Sequence, residues 1–248
     1  MDRALYIAMS GAKQNTLGQA AHANNLANVS TNGFRSDFTQ SRAQGVFGEH
    51  FPTRAYAMTE RPASDFQEGP LIQTGRTLDV AIAGDGWFAV EGPDGQEAYT
   101  RAGDLNVTPD GRLINGSGLQ VIGEAGPVVL PPFEQIEISR AGIITIQPMG
   151  EVPAALAEPV QLKLVRPDVK DLEKGTDGLF RFRDPNTPPA LADPNITLAT
   201  GFVEGSNVNA VTELTEMISL NRQYEMQVKL MKRVDENTAA TTQILSAQ

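Results

Sequence analysis

No cysteine occurs in the 248 residues, which excludes a disulfide framework, a thiol nucleophile and any Cys-ligated metal site. Histidine is scarce as well: His22 and His50 are 28 positions apart and lack the spacing of metal ligands. Long apolar runs are missing. No stretch approaches the ~18 apolar residues that would span a bilayer, and the opening MDRALYIAMSGAKQ lacks the apolar core of a secretory signal. Neither membrane insertion nor cleaved Sec export is expected. An excess of positive charge is missing too. Twenty Lys and Arg face 30 Asp and Glu, a formal net charge of −10, so nucleic acid is not an expected partner.

The usual marks of catalysis are equally sparse. No Gly-rich loop ends in Gly-Lys-Ser/Thr, which excludes a P-loop. Ser10-Gly11-Ala12-Lys13 matches the Ser-x-x-Lys of serine acylases, but the companion Ser-Asp-Asn and Lys-Thr-Gly elements are absent. Asp184 and Asp193 sit in Pro- and Asn-containing loops without the twelve-residue EF-hand order. Gly84-Asp85-Gly86 reads as a hairpin turn rather than a phosphate cradle. No catalytic residue, cofactor or metal ligand is assigned, and no enzyme is expected.

What is present is a division of the chain into unlike parts. Residues 1–45 carry a charge of +2, residues 206–248 carry −1, and the middle carries −11. Two nearly neutral arms thus flank an acidic body. The C-terminal arm has no Pro or Gly after Gly205. Val211, Leu214, Ile218, Tyr224, Val228, Met231, Val234, Thr238, Thr241 and Leu245 mostly recur at steps of three or four, which predicts one helix with a single apolar stripe. Ser206, Asn207 and Asn209 are candidate caps. The predicted rod is on the order of 55–60 Å long, more than a small domain covers.

The N-terminal arm predicts a second helix over residues 2 to about 28. Ala4, Gly11, Gly18 and Asn25 recur every seven residues, with Ala8, Ala12 and Ala21 nearby. This is a seam of small side chains along which another helix can approach closely. Interior glycines cost roughly 0.5–1 kcal/mol each, so this helix is expected to order only against a partner, the C-terminal helix first. Asn28, Asn32 and Gly33 tolerate the left-handed conformation that ends a helix.

Between the arms, residues 36–70 read as an extended connector and residues 71–205 as β structure. Asp-Gly and Asn-Gly turn signals at Pro93-Asp94-Gly95, Pro109-Asp110-Gly111 and Asn115-Gly116 separate short apolar runs, the pattern of antiparallel hairpins. Prolines crowd residues 148–200, a stretch read as loops around two or three strands. The predicted fold class is α+β, with the N-terminal helix (1–35) and C-terminal helix (206–248) packed as a coiled-coil-like arm and a central antiparallel β domain.

Three motifs resemble one family. Ala23-Asn24-Asn25-Leu26-Ala27-Asn28-Val29-Ser30-Thr31-Asn32-Gly33-Phe34-Arg35 is similar to the N-terminal signature of bacterial flagellar rod and hook axial proteins. Leu78-Asp79-Val80-Ala81-Ile82-Ala83-Gly84-Asp85-Gly86-Trp87-Phe88 with Tyr99-Thr100-Arg101-Ala102-Gly103 resembles their β domain, although many members have Phe where Trp87 stands. Glu204-Gly205-Ser206-Asn207-Val208-Asn209 with Arg222 and Tyr224-Glu225 resembles their C-terminal motif. The opening Met1-Asp2-Arg3-Ala4-Leu5-Tyr6 and the modest length are similar to the proximal-rod type, with the distal-rod type as the alternative.

The resemblance implies a structural subunit of the proximal rod that transmits torque towards the distal rod and hook. Implied partners are other proximal-rod subunits, distal-rod subunits and copies of itself. The implied location is the periplasmic rod of the basal body, reached through the flagellar type III apparatus without a cleaved signal peptide. The expected assembly interface is Ala4, Ala8, Gly11, Gly18, Asn25, Leu26, Asn28, Gly33, Phe34, Val211, Leu214, Ile218, Tyr224, Val228, Met231, Val234 and Leu245. A surface binding module or adhesin with a helical stalk is the alternative from a different class.

Overall fold

The small-residue seam and the uninterrupted C-terminal stretch form the two helices of the protein: α1 spans Asp2–Ala27 and α2 spans Ala210–Ser246. The computed structural model describes residues 2–45, 55–60, 63–148 and 159–246. Among these the other regular elements are antiparallel strands, so the architecture is α+β. The chain divides into two units. The first comprises Met1–Asn28, Ser36–Asp65 and Val208–Gln248, and the second Val29–Arg35 and Phe66–Asn207.

In the first unit α1 and α2 pack along one another. α1 ends where Asn28 folds back, its backbone N–H and its side-chain amide both donating to the Asn24 carbonyl. α2 is capped by Asn209, whose Oδ1 accepts from the N–H groups of Val211 and Thr212 at 3.0 and 3.3 Å. That satisfies first-turn donors which no helical carbonyl can reach. Within 36–70, read from sequence as connector, the strands Gln40–Gly45 and Ala55–Glu60 pair antiparallel in the register Gln40↔Glu60 to Gly45↔Ala55. The second of them packs against α1.

The second unit is built on a five-stranded antiparallel sheet ordered Leu164–Val165, Trp87–Glu91, Glu97–Thr100, Phe180–Phe182, Leu172–Lys174. Side chains alternate across a strand, and Trp87–Glu91 is apolar on both faces. Phe88 and Val90 join a core with Val80, Leu105, Leu113 and Ile144. Trp87 and Ala89 join another with Tyr99, Leu172 and Phe180. Burial raises the Tyr99 hydroxyl to a pKa of about 12, and its oxygen accepts the Ala190 N–H at 2.9 Å.

The turns fall largely where the Gly signals place them. Pro93-Asp94-Gly95 joins the paired strands Trp87–Glu91 and Glu97–Thr100, and Pro109-Asp110-Gly111 joins Asn106–Val107 to Leu113–Ile114. Gly84-Asp85-Gly86 is different from its expected hairpin. The strand before it, Val80–Ala83, pairs with Thr197–Thr200, whereas the strand after it belongs to the five-stranded sheet. It is a corner between sheets, and its partner strand lies more than a hundred residues away, beyond the reach of any local turn rule.

Candidate assembly surface

Three of the four seam positions, Gly11, Gly18 and Asn25, meet α2, on a face that its apolar pattern disguises, while Ala4 is exposed. The position of a Cβ on Gly11 stands 3.1 Å from Gln227 Nε2, and that on Gly18 stands 3.1 Å from Leu220 Cδ1. Asn25 Nδ2 lies 3.4 Å from Glu213 Oε1. Each step of seven along α1 is matched by a step of seven in the opposite direction along α2. On α2 the half-buried positions Glu213, Met217, Leu220, Gln227, Met231, Val234, Thr238 and Thr241 share this side. Two of the three contact positions named above are therefore polar.

The polar end of the seam is a network. Asn25 is buried; its Nδ2 donates to the Asp37 carbonyl and its Oδ1 accepts the Asp37 N–H, both at 3.0 Å. His22 Nδ1 lies 2.5 Å from Glu213 Oε2, and its Nε2 lies 3.3 Å from Thr39 Oγ1. Ser64 Oγ donates to Asp37 Oδ1 at 3.0 Å. The carboxylate of Glu213 is thereby matched with donors, the condition under which a polar group is tolerated away from water.

The other faces of both helices stay uncovered. Among the described residues, 13 of the 19 exposed large apolar side chains lie on α1 or α2, which hold little more than a quarter of the described chain. On α1 they include Tyr6, Met9 and Leu17, on α2 Val211, Leu214, Ile218 and Met226. A shallow groove of about 430 Å³ on α2 is lined by Thr215, Ile218, Ser219, Arg222, Gln223 and Met226. Single exposed apolar residues need no explanation; here they are concentrated on two elements.

The signature residues after α1 belong to a different arrangement, inside the second unit. Gly33 has φ +68°, and a Cβ there would overlap the Arg101–Ala102 peptide. Its N–H donates to the Glu204 carbonyl at 2.7 Å. Phe34 is buried beneath Lys174, whose Nζ is 3.8 Å from the ring centroid and donates to the Arg35 carbonyl at 2.6 Å. Arg35 Nη1 meets Glu204 Oε1 at 2.5 Å, and Arg101 Nη1 meets Glu204 Oε2 at 3.3 Å. The side chains of Arg35, Glu204 and Arg101 are 0%, 2% and 3% exposed. Burial lowers the pKa of the Arg101 guanidinium; Glu204 opposes that shift and the like charge of Arg35 adds to it.

The residues expected at an assembly interface thus separate into three groups. Ala8, Gly18 and Asn25 are buried, and Gly11, Leu26, Asn28, Met231 and Val234 are half-buried. Gly33 and Phe34 are buried in the second unit. Ala4, Val211, Leu214, Ile218, Tyr224 and Val228 are exposed, while the side chain of Leu245 lies outside the described set. The single stripe expected on α2 is two faces. The reason is that Glu213 and Gln227 occupy covered positions, so an apolar count follows the open side from Val211 to Ile218 instead. Sequence reasoning missed Arg101 and Glu204 as a pair, since nothing local connects positions 101 and 204. It also missed the His22–Glu213 contact, although His22 stands one turn before Asn25.

Three family models match the chain: "Flagella basal body rod protein" over residues 5–35, "Flagellar hook protein FlgE/F/G D1 domain" over 81–154, and "Flagellar basal body rod FlgEFG protein C-terminal" over 199–244. The chain is 42% identical over 251 residues to the flagellar basal-body rod protein FlgF of Escherichia coli (strain K12), with 99% of both chains covered. It is 40% identical over 250 residues to FlgF of Salmonella typhimurium, again covering 99% of each. The rod protein FlgG of Agrobacterium fabrum is 32% identical over 255 residues, covering 94% of this chain and 96% of the relative.

Proposed function

The chain belongs to the flagellar basal-body rod protein family and is a structural rod subunit; from that premise we propose that it builds the proximal rod through the uncovered faces of α1 and α2. The higher identity to two FlgF proteins than to a FlgG protein favours the proximal over the distal position. The observation that carries the assembly role is the concentration of exposed apolar side chains on the two helices. Burying each such side chain against a neighbour contributes about 1.5–3 kcal/mol, and several per subunit offset the entropy of ordering long helices.

In this reading α1 and α2 are a coiled-coil-like pair, and their outer faces meet other rod subunits and further copies of the chain. The pair transmits torque towards the distal rod and hook. Export through the type III apparatus without a cleaved signal accompanies the reading. Among the described residues no helix is long and apolar enough to cross a membrane. The adhesin alternative has no observation in its favour.

The test is a subunit carrying Met9→Glu and Ile218→Glu, both on exposed positions. Melting of the free subunit is expected to stay within about 0.5 kcal/mol per site of the parent. In a strain lacking its own copy of the protein, the variant is expected not to restore swimming, whereas the parent does. Restored swimming with normal basal bodies would refute the assembly role of these faces.

A further inference from the structure

We propose that the Arg35–Arg101 cluster binds a small monovalent inorganic anion, of the chloride class, taken up as the second unit folds. Both guanidinium groups are more than nine-tenths buried, and they share the single buried carboxylate of Glu204. Glu204 also serves other groups, its Oε1 accepting the Gly69 N–H at 3.0 Å. Of the other carboxylates near Arg101, Glu68 is half exposed and 3.8 Å from Nη2, too far for a hydrogen bond, and Asp85 acts on the guanidinium through its charge. After these contacts Arg35 Nε and Nη2 and Arg101 Nε remain buried without an acceptor among the described residues.

An arginine cannot remove this deficit by losing its proton, because it stays charged at any ordinary pH. Buried donors of this kind call for an acceptor that the protein itself does not supply. A water molecule accepts only a few hydrogen bonds and leaves the repulsion between the two guanidinium groups in place. A halide accepts from several N–H groups at once and cancels one positive charge between them. The cluster is closed to solvent, so the ion enters with folding and its affinity appears as added stability.

Thermal melting of the full chain at constant ionic strength tests this, with sodium gluconate replaced stepwise by sodium chloride or bromide. Binding at about ten times Kd is expected to raise the melting temperature of the second unit by roughly 3–6 °C, with saturation. Arg35→Gln is expected to abolish the anion-specific part of the rise. Should that variant fail to fold, crystals of the parent chain grown in bromide decide the question. An anomalous peak between the two guanidinium groups is expected. Equal melting in gluconate and halide, or a water without anomalous signal at that position, would overturn the proposal. Neither result bears on the rod function, which rests on other residues.

Discussion

Replacing Glu204 by alanine is expected to destabilise the second unit by about 3–5 kcal/mol, the range found when one member of a buried ion pair is removed and its partner is left uncompensated. Here two arginines would be stranded, from positions 35 and 101, neither of which is exposed enough to regain water. At 2–4 °C per kcal/mol the melting temperature should fall by on the order of 10 °C. Glu204→Gln keeps the size and an acceptor for the Gly69 N–H but not the charge, and should recover only part of the loss. The comparison that isolates burial is Arg166→Gln. Its ion pair with Asp193 spans 3.6 Å with the arginine half exposed, and its removal should cost less than about 1 kcal/mol. Urea denaturation of the three variants measures all of this. Similar midpoints for Glu204→Ala and Arg166→Gln would mean that the buried cluster does not hold the unit together.

Gly33→Ala should be comparably damaging for a different reason. An L-residue forced to a left-handed backbone loses roughly 1–2 kcal/mol, and at Gly33 the added Cβ also meets the Arg101–Ala102 backbone. The loop cannot slide away cheaply, because the Gly33 N–H is held by the Glu204 carbonyl and the Asn207 N–H donates to the Phe34 carbonyl. The combined cost is expected to be on the order of 3–5 kcal/mol, in the class of strained backbone positions. Gly118 supplies the control. It has φ +81° with nothing within 4 Å of an added Cβ, so Gly118→Ala should lose only the conformational part. Equal midpoints for the two alanine variants would show that close approach at Gly33 has no energetic weight.

These two positions mark the limit of what the sequence conveys. The heptad spacing of Ala4, Gly11, Gly18 and Asn25 announces a close helical approach, and the structure brings Gly11, Gly18 and Asn25 against α2. Local turn chemistry likewise places the hairpins at Asp94-Gly95 and Asp110-Gly111. What is not legible is anything decided by a residue far along the chain. The corner at Gly84–Gly86 depends on Thr197–Thr200, and the Gly33-Phe34-Arg35 triplet depends on Arg101, Lys174 and Glu204. The covered face of α2 stayed hidden because its polar members Glu213 and Gln227 are satisfied or accommodated by partners on α1. A hydrophobic count cannot register a polar side chain whose hydrogen-bonding partner is 191 positions away.

An averaged electron-microscopy map of basal bodies containing this subunit tests the central claim most directly. Tyr6 and Met9 on α1 and Ile218 and Met226 on α2 should then be covered by neighbouring subunits. A map in which these four side chains face open solvent, with neighbours touching only the β-sheet unit, would contradict the account.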